Sequence, residues 1–315
     1  MFLRPPVPKS HFSILVLFFA IAYSVSVGFF WEPFYLLAKT AESEIPPQFV
    51  IKNPAQPIRV LAFGDFGDGS KKQKEVAAAM ADYHKGLPFD FGITLGDNFY
   101  EKGVKGLNDP RWKSWWSDLY DPLQIKFFAV LGNHDYGFRQ SPQAEIAYTE
   151  YSRSWKMPAR YYQFGAGPAD FFALDTVKFD AEQAAWLKRS LAASSQLWKI
   201  VYGHHPIFSH GHHGDSEELI RDLLPILLGK AHIYLAGHDH DMQHLKPEGN
   251  LHFIVAGCGA HIRPIKPGPR SLFAHSALGF AVIEATKDVL KVQFVEKNLK
   301  PVYAYTLTPI PEGLR

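Results

Sequence analysis

The chain has 315 residues, 47% hydrophobic and 15% aromatic, with 33 basic against 31 acidic side chains. A formal charge of +2 is too small to imply a polyanionic partner, and no basic stripe is interleaved with aromatics, so no nucleic-acid partner is expected. The single cysteine, Cys258, rules out an intramolecular disulfide and reads as a small buried residue at a strand end. In chain order, Arg4 and Lys9 precede an uncharged, mostly apolar run from Phe12 to Trp31, about 30 Å long as a helix. Ala20-Ile21-Ala22 has the small-x-small form of a cleavage site, so a cleaved signal peptide and a single-span membrane anchor are both open. Basic residues before the run and Glu32 after it place the rest of the chain outside the cytoplasm, whether secreted, periplasmic or anchored. Residues 1–45 are therefore read as signal or anchor plus linker, and 46–315 as one domain. The proline-rich stretch from Glu42 to Pro57 should be an extended linker.

Beyond the linker, Ile58–Phe63 reads as a buried strand and Lys71–His84 as a helix with Val76, Ala77 and Met80 on one face. Strands follow at Phe89–Leu95 and Phe127–Leu131, with an aromatic helical stretch at Trp112–Leu119 between them. A helix is expected from Gln143 to Trp155, strands near Tyr161 and Phe171, and a helix over Ala181–Ala193. Leu197–Tyr202 and Ile233–Ala236 read as strands flanking a helix at Glu217–Leu228. The tail from Gly279 to Thr308 alternates apolar and polar residues, as antiparallel strands do. Strands alternating with helices, then more strands, indicate a layered α/β fold.

Five motifs sit just beyond five of these apolar runs: Gly64-Asp65-Phe66-Gly67, Gly96-Asp97-Asn98-Phe99-Tyr100, Gly132-Asn133-His134-Asp135, Gly203-His204-His205-Pro206 and Gly237-His238-Asp239-His240. Singly, Gly-Asp is common in turns. Together the motifs supply two aspartates, a tyrosine, an asparagine and three histidines, enough for two adjacent metal ions and hence a dinuclear phosphoesterase site.

On these motifs the sequence resembles the purple acid phosphatases of the calcineurin-like metallophosphoesterase superfamily, most closely the small, tartrate-resistant animal type. The resemblance runs from about Arg59 to Leu307 and includes Ala173-Leu174-Asp175-Thr176 and the helix around Trp186; Tyr100, three residues after Asp97, is its discriminating residue. It implies a four-layer sandwich of two mixed β-sheets packed face to face and flanked by helices. It also implies a first metal held by Asp65, Asp97, Tyr100 and His240, and a second held by Asp97, Asn133, His204 and His238, with Asp97 bridging. A phenol of ordinary pKa near 10 needs a strongly acidic cation to ligate as phenolate, so Fe(III) suits the first set. A divalent ion, Fe(II), Zn(II) or Mn(II), suits the second.

The implied activity is acid hydrolysis of small phosphate monoesters, with phosphoproteins or nucleotides within reach, by in-line attack of a metal-bound hydroxide. His134, next to Asn133, and His213, at the position matching the family's substrate-side histidine, are the expected proton-transfer residues. His205, His210 and His212 read as surface or supporting residues, and Asp135 and Asp239 as supporting or turn-forming ones. The alternative is a phosphodiesterase or nucleotide pyrophosphatase of the same superfamily using Mn or Zn. A monomer is expected. The chain departs from the pattern in two places. Only Val177-Lys178-Phe179-Asp180 joins Thr176 to the next helix, which implies an uncovered site needing no proteolytic activation, and the loop Gly257-Cys258-Gly259-Ala260-His261 lacks the asparagine expected near Ala260.

Overall fold

A computed structural model describes residues 46–51 and 57–309 of the chain. The run from Phe12 to Trp31 lies outside these residues, and among the described residues no helix is long and apolar enough to cross a membrane. The strands are β1 (Gln48–Ile51), β2 (Ile58–Phe63), β3 (Phe91–Thr94), β4 (Phe127–Phe128), β5 (Trp155–Lys156), β6 (Tyr162–Ala166), β7 (Ala169–Ala173), β8 (Trp198–Tyr202), β9 (Ile233–Ala236), β10 (Met242–Glu248), β11 (Leu251–Ala256), β12 (Ser271–His275), β13 (Gly279–Ala285), β14 (Leu290–Glu296) and β15 (Pro301–Leu307). They form two mixed sheets, ordered β15-β14-β13-β2-β3-β4-β5 and β1-β6-β7-β8-β9-β11-β10-β12. In the first, β2 to β5 run parallel and β13 to β15 antiparallel; in the second, β7, β8, β9 and β11 run parallel.

Strand alternation builds the layers. On β7, Phe171 joins the large core between the sheets, whereas Phe172 joins a second cluster on the outer face; Ile200 and Val201 on β8 divide in the same way. Aromatic rings fill the space between the sheets, with Phe91 on β3 edge-on to Phe164 at 5.5 Å and to Phe171 at 5.3 Å. Tyr162 on β6 crosses the gap to donate its hydroxyl to Ala129 O at 2.8 Å. Helix α1 (Lys71–Gly86) turns Val76, Ala77 and Met80 into the core, and helix α3 (Ala181–Ala193), after α2 (Ser141–Ala147), covers the outer cluster with Trp186, Leu187 and Leu191. Both long helices start at side-chain caps: Ser70 Oγ accepts from Lys72 N and Gln73 N, and Asp180 Oδ1 from Gln183 N.

Four expectations are corrected. The helix expected from Gln143 to Trp155 ends as α2 at Ala147, and Trp155 instead pairs in parallel with Phe127. Ser152 Oγ accepts from Trp155 N at 2.9 Å, which closes a turn, and Trp155 Nε1 donates to Glu145 O, so the ring is fixed in the core rather than along a helix face. The helix expected over Glu217–Leu228 breaks into Glu217–Asp222 and Leu224–Leu227, where Pro225 removes a backbone donor. The strand expected over Phe127–Leu131 pairs only at Phe127–Phe128. Part of the expected linker, Gln48–Ile51, is an edge strand parallel to β6. The Trp112–Leu119 stretch is helical but opens as a π-turn over Trp112–Ser117.

Candidate metal centre

Each of the five motifs leaves the carboxyl end of a parallel strand, β2, β3 and β4 in one sheet and β8 and β9 in the other. The chain must turn inward at once to face the neighbouring sheet. Asp65, Asp97 and His238 do so in the left-handed region, with φ of 57°, 51° and 67°. Asp and His are among the side chains that tolerate this region, and such conformations persist where surrounding contacts over-determine them. Those contacts are here main-chain donors. Asp65 Oδ2 accepts from His238 N at 2.8 Å, and Asp97 Oδ1 from His134 N at 2.9 Å. Glycines make the close approach possible: a Cβ on Gly132 would lie 2.2 Å from Asp97 Oδ1, and one on Gly237 would lie 2.5 Å from Asp65 Oδ2.

Two groups of donors result. In the first, the Tyr100 hydroxyl lies 2.9 Å from Asp97 Oδ2, 3.1 Å from Asp65 Oδ1 and 3.3 Å from His240 Nε2. In the second, His204 Nε2 lies 3.0 Å from Asn133 Oδ1, 3.1 Å from His238 Nδ1 and 3.5 Å from Asp97 Oδ1. Asp97 thus turns one carboxylate oxygen to each group. His238 and His240, though only two apart in sequence, face different groups because the strand has already ended at Ala236.

The donor set fits cations. His204 Nδ1 donates to Leu95 O at 2.8 Å, so its Nε2 presents a lone pair toward Asn133 Oδ1. Electron-rich atoms aimed at one another across about 3 Å are what a metal ion satisfies. In the first group, two buried carboxylates share one phenol. Burial, then the charge of Asp97, raises the Asp65 pKa well above the ordinary range, and burial raises that of Asp97. Burial and both carboxylates raise the Tyr100 phenol. Burial also holds His204 and His238 well below the ordinary imidazole value and lowers His240 to about 4. Neutral imidazoles are the ligating form, and cations in both groups would offset the desolvation of the carboxylates.

The proton-transfer candidates stand around this floor. His134 donates from Nδ1 to Glu101 O at 2.7 Å, so its Nε2 faces the site, 3.9 Å from Asp97 Oδ2. His213 is exposed, and its ring packs on His238 with centroids 3.9 Å apart. Asp239 positions it, accepting from His213 N at 2.9 Å and from the Ser209 hydroxyl. Asp135 is also a supporting residue, accepting from the backbone of Gly132, Asn98 and Phe99. His210 sits beneath Gly268 and accepts from Arg270 N. His205 is more involved than expected: its Nδ1 lies 3.2 Å from Thr176 Oγ1 while its ring packs against His238 at 4.5 Å. Cys258 is buried, its thiol pushed up by desolvation.

Two residues escaped sequence reasoning. His261 packs against Tyr100 at 4.7 Å and His240 at 5.0 Å, with Nε2 3.3 Å from Asp68 Oδ2. Arg263 donates from Nη1 to His213 Nε2 at 2.8 Å. The available signal was the departure from the family pattern around Ala260, immediately before both.

Residues 58–242 match the calcineurin-like phosphoesterase family, and the chain belongs to it. Within that family it is a dinuclear-metal hydrolase of the purple acid phosphatase kind. It is 30% identical over 308 residues to tartrate-resistant acid phosphatase type 5 of Sus scrofa, covering 83% of this chain and 89% of the relative. It is 32% identical over 268 residues to purple acid phosphatase 7 of Arabidopsis thaliana, covering 74% and 81%. Among solved structures it is similar to GAP50, described as the anchor in the inner membrane complex of Plasmodium, with a TM-score of 0.72, 26% identity and coverage of 81% and 89%.

Proposed function

We propose that this phosphatase hydrolyses phosphate monoesters in mildly acidic solution. Asp65, Asp97, Tyr100 and His240 would hold a trivalent ion, Fe(III). Asp97, Asn133, His204 and His238 would hold Fe(II), Zn(II) or Mn(II). The observation that carries this reading is Asp97, whose Oδ2 faces the phenol at 2.9 Å and whose Oδ1 faces the imidazole of His204 at 3.5 Å. A carboxylate so placed would hold one ion with each of its oxygens. When bound, the pair supplies Lewis-acid stabilisation of phosphoryl charge and lowers the pKa of a coordinated water.

The chain's own residues supply the rest. Tyr100 loses its phenolic proton only to a strongly acidic cation, because burial between two carboxylates otherwise holds that proton on. His134, fixed by its Nδ1–H bond to Glu101 O, presents Nε2 toward the reacting phosphoryl group, where it orients an oxygen or passes a proton. His213, at the rim across from it, orients the leaving group and, once protonated, passes a proton to the departing alcohol. The domain is proposed to work outside the cytoplasm, delivered by the Phe12–Trp31 run as signal or anchor.

The test is the visible spectrum of the full-length protein loaded aerobically with iron. A broad violet or pink band is expected, and it should vanish in Tyr100→Phe. A protein that binds two metal ions without such a band would remove Tyr100 from the ligand set and move the reading to a Mn or Zn phosphoesterase.

A further inference from the structure

Arg263 is the unexplained group at the mouth of the site. Its backbone is fixed there: its amide donates to His240 O at 2.9 Å, and its carbonyl accepts from the Ser276 hydroxyl. Its side chain returns over the imidazole group, where Nη1 meets His213 Nε2 at 2.8 Å while the His213 ring packs on His238. Arg59, Arg111, Arg160 and Arg270 each pair with a carboxylate. Among the described residues, no carboxylate lies within 4.0 Å of the Arg263 guanidinium. A neutral imidazole nitrogen is a poor partner for a permanent cation, and it occupies one of five donors. An arginine held half-buried beside metal-binding residues with its fork unused is an anion receptor.

We infer that Arg263 is a specificity-determining residue: on substrate binding its guanidinium exchanges the His213 contact for non-bridging oxygens of the phosphoryl group. This rests on the phosphatase reading and deepens it. A monoester phosphoryl group has three non-bridging oxygens and up to two negative charges, so with one oxygen toward the metal-binding residues a pair is left for the guanidinium; a diester has two non-bridging oxygens and one charge, and leaves only one. The exchange therefore selects monoesters. It also frees His213 Nε2 from the guanidinium, so one movement clamps the phosphate and exposes the rim histidine.

The test compares wild type, Arg263→Gln and Arg263→Lys as full-length, metal-loaded proteins. Orthophosphate binding is measured by calorimetry, and kcat and KM are measured on p-nitrophenyl phosphate and on bis(p-nitrophenyl) phosphate. In Arg263→Gln, orthophosphate affinity and the monoester-to-diester ratio of kcat/KM should each fall about tenfold or more. Arg263→Lys, which keeps the charge but loses the fork, should fall between. Metal content and the visible spectrum should not change. Undiminished phosphate affinity in Arg263→Gln, or an equal loss on both esters, would overturn the inference while leaving the phosphatase reading intact. A metal-loaded wild type that binds no orthophosphate and hydrolyses no monoester would overturn both.

Discussion

Asp65, Asp97 and His238, on the floor of the site, leave their strands at positive φ, and the two carboxylates are seated on main-chain donors beside Gly132 and Gly237. His134, opening a 3₁₀ turn, and His213 and Arg263, on loops, stand half-buried or exposed at the rim; His134 is held by Glu101 O, and Arg263 meets His213. The floor carboxylates are held by backbone amides, which no side-chain substitution removes, in spaces that Gly132 and Gly237 leave open. The rim is held by side chains that can be exchanged one at a time. That difference separates the ligand floor from the rim, to which the proposed reading gives substrate selection.

Attacking the floor should cost most. Asp97→Asn removes the shared carboxylate and is expected to lower kcat on the order of 10³-fold. Metal content, read by elemental analysis, should drop with it; full activity would refute a bridging role. Gly132→Ala tests the same floor without touching a donor. Its Cβ would fall 2.2 Å from Asp97 Oδ1, so a loss of roughly 10²-fold in kcat is expected although every proposed ligand remains.

Smaller effects belong to the supports of the rim. Ser209→Ala deletes a hydroxyl that donates to Asp239 and accepts from Gly211 N and Gln243 Nε2, loosening the loop that carries His213. A fall of about 10-fold in kcat is expected with the visible spectrum preserved. Loss of the spectrum would mean that rim and floor are not separable.

The smallest expected effect lies away from the site. His244 is buried between His252 and the Tyr303 hydroxyl, and burial, then His252, lowers its pKa to about 3. The unfolded imidazole, near pKa ~6.5, binds more protons in between. Stability from this group is complete above about pH 6.5 and is lost as pH falls toward about 3. Melting curves from pH 7 down to pH 4 should therefore fall less steeply in His244→Gln than in the wild type, by roughly 3–5 °C. Parallel slopes would show that His244 does not contribute to the loss of stability in acid.

Much of this was legible in the residues. Ile58–Phe63, Ala181–Ala193 and Ile233–Ala236 form as the periodicity indicates, because apolar spacing and caps such as Ser70 and Asp180 act within a few residues. The glycine-led motifs marked where the donors would stand, since a sharp inward turn at a strand end needs them locally. Tertiary structure decided the rest. Trp155 left its expected helix for a core strand because its ring had a place there, and Gln48–Ile51 found an open sheet edge. Tyr100 meets His240 across 140 residues, His204 meets Asn133 across 71 and Arg263 meets His213 across 50. Local propensity carries no information about contacts at that separation. They exist because two sheets, each stable through its own ladder and the aromatic core between them, bring their carboxyl edges to one place.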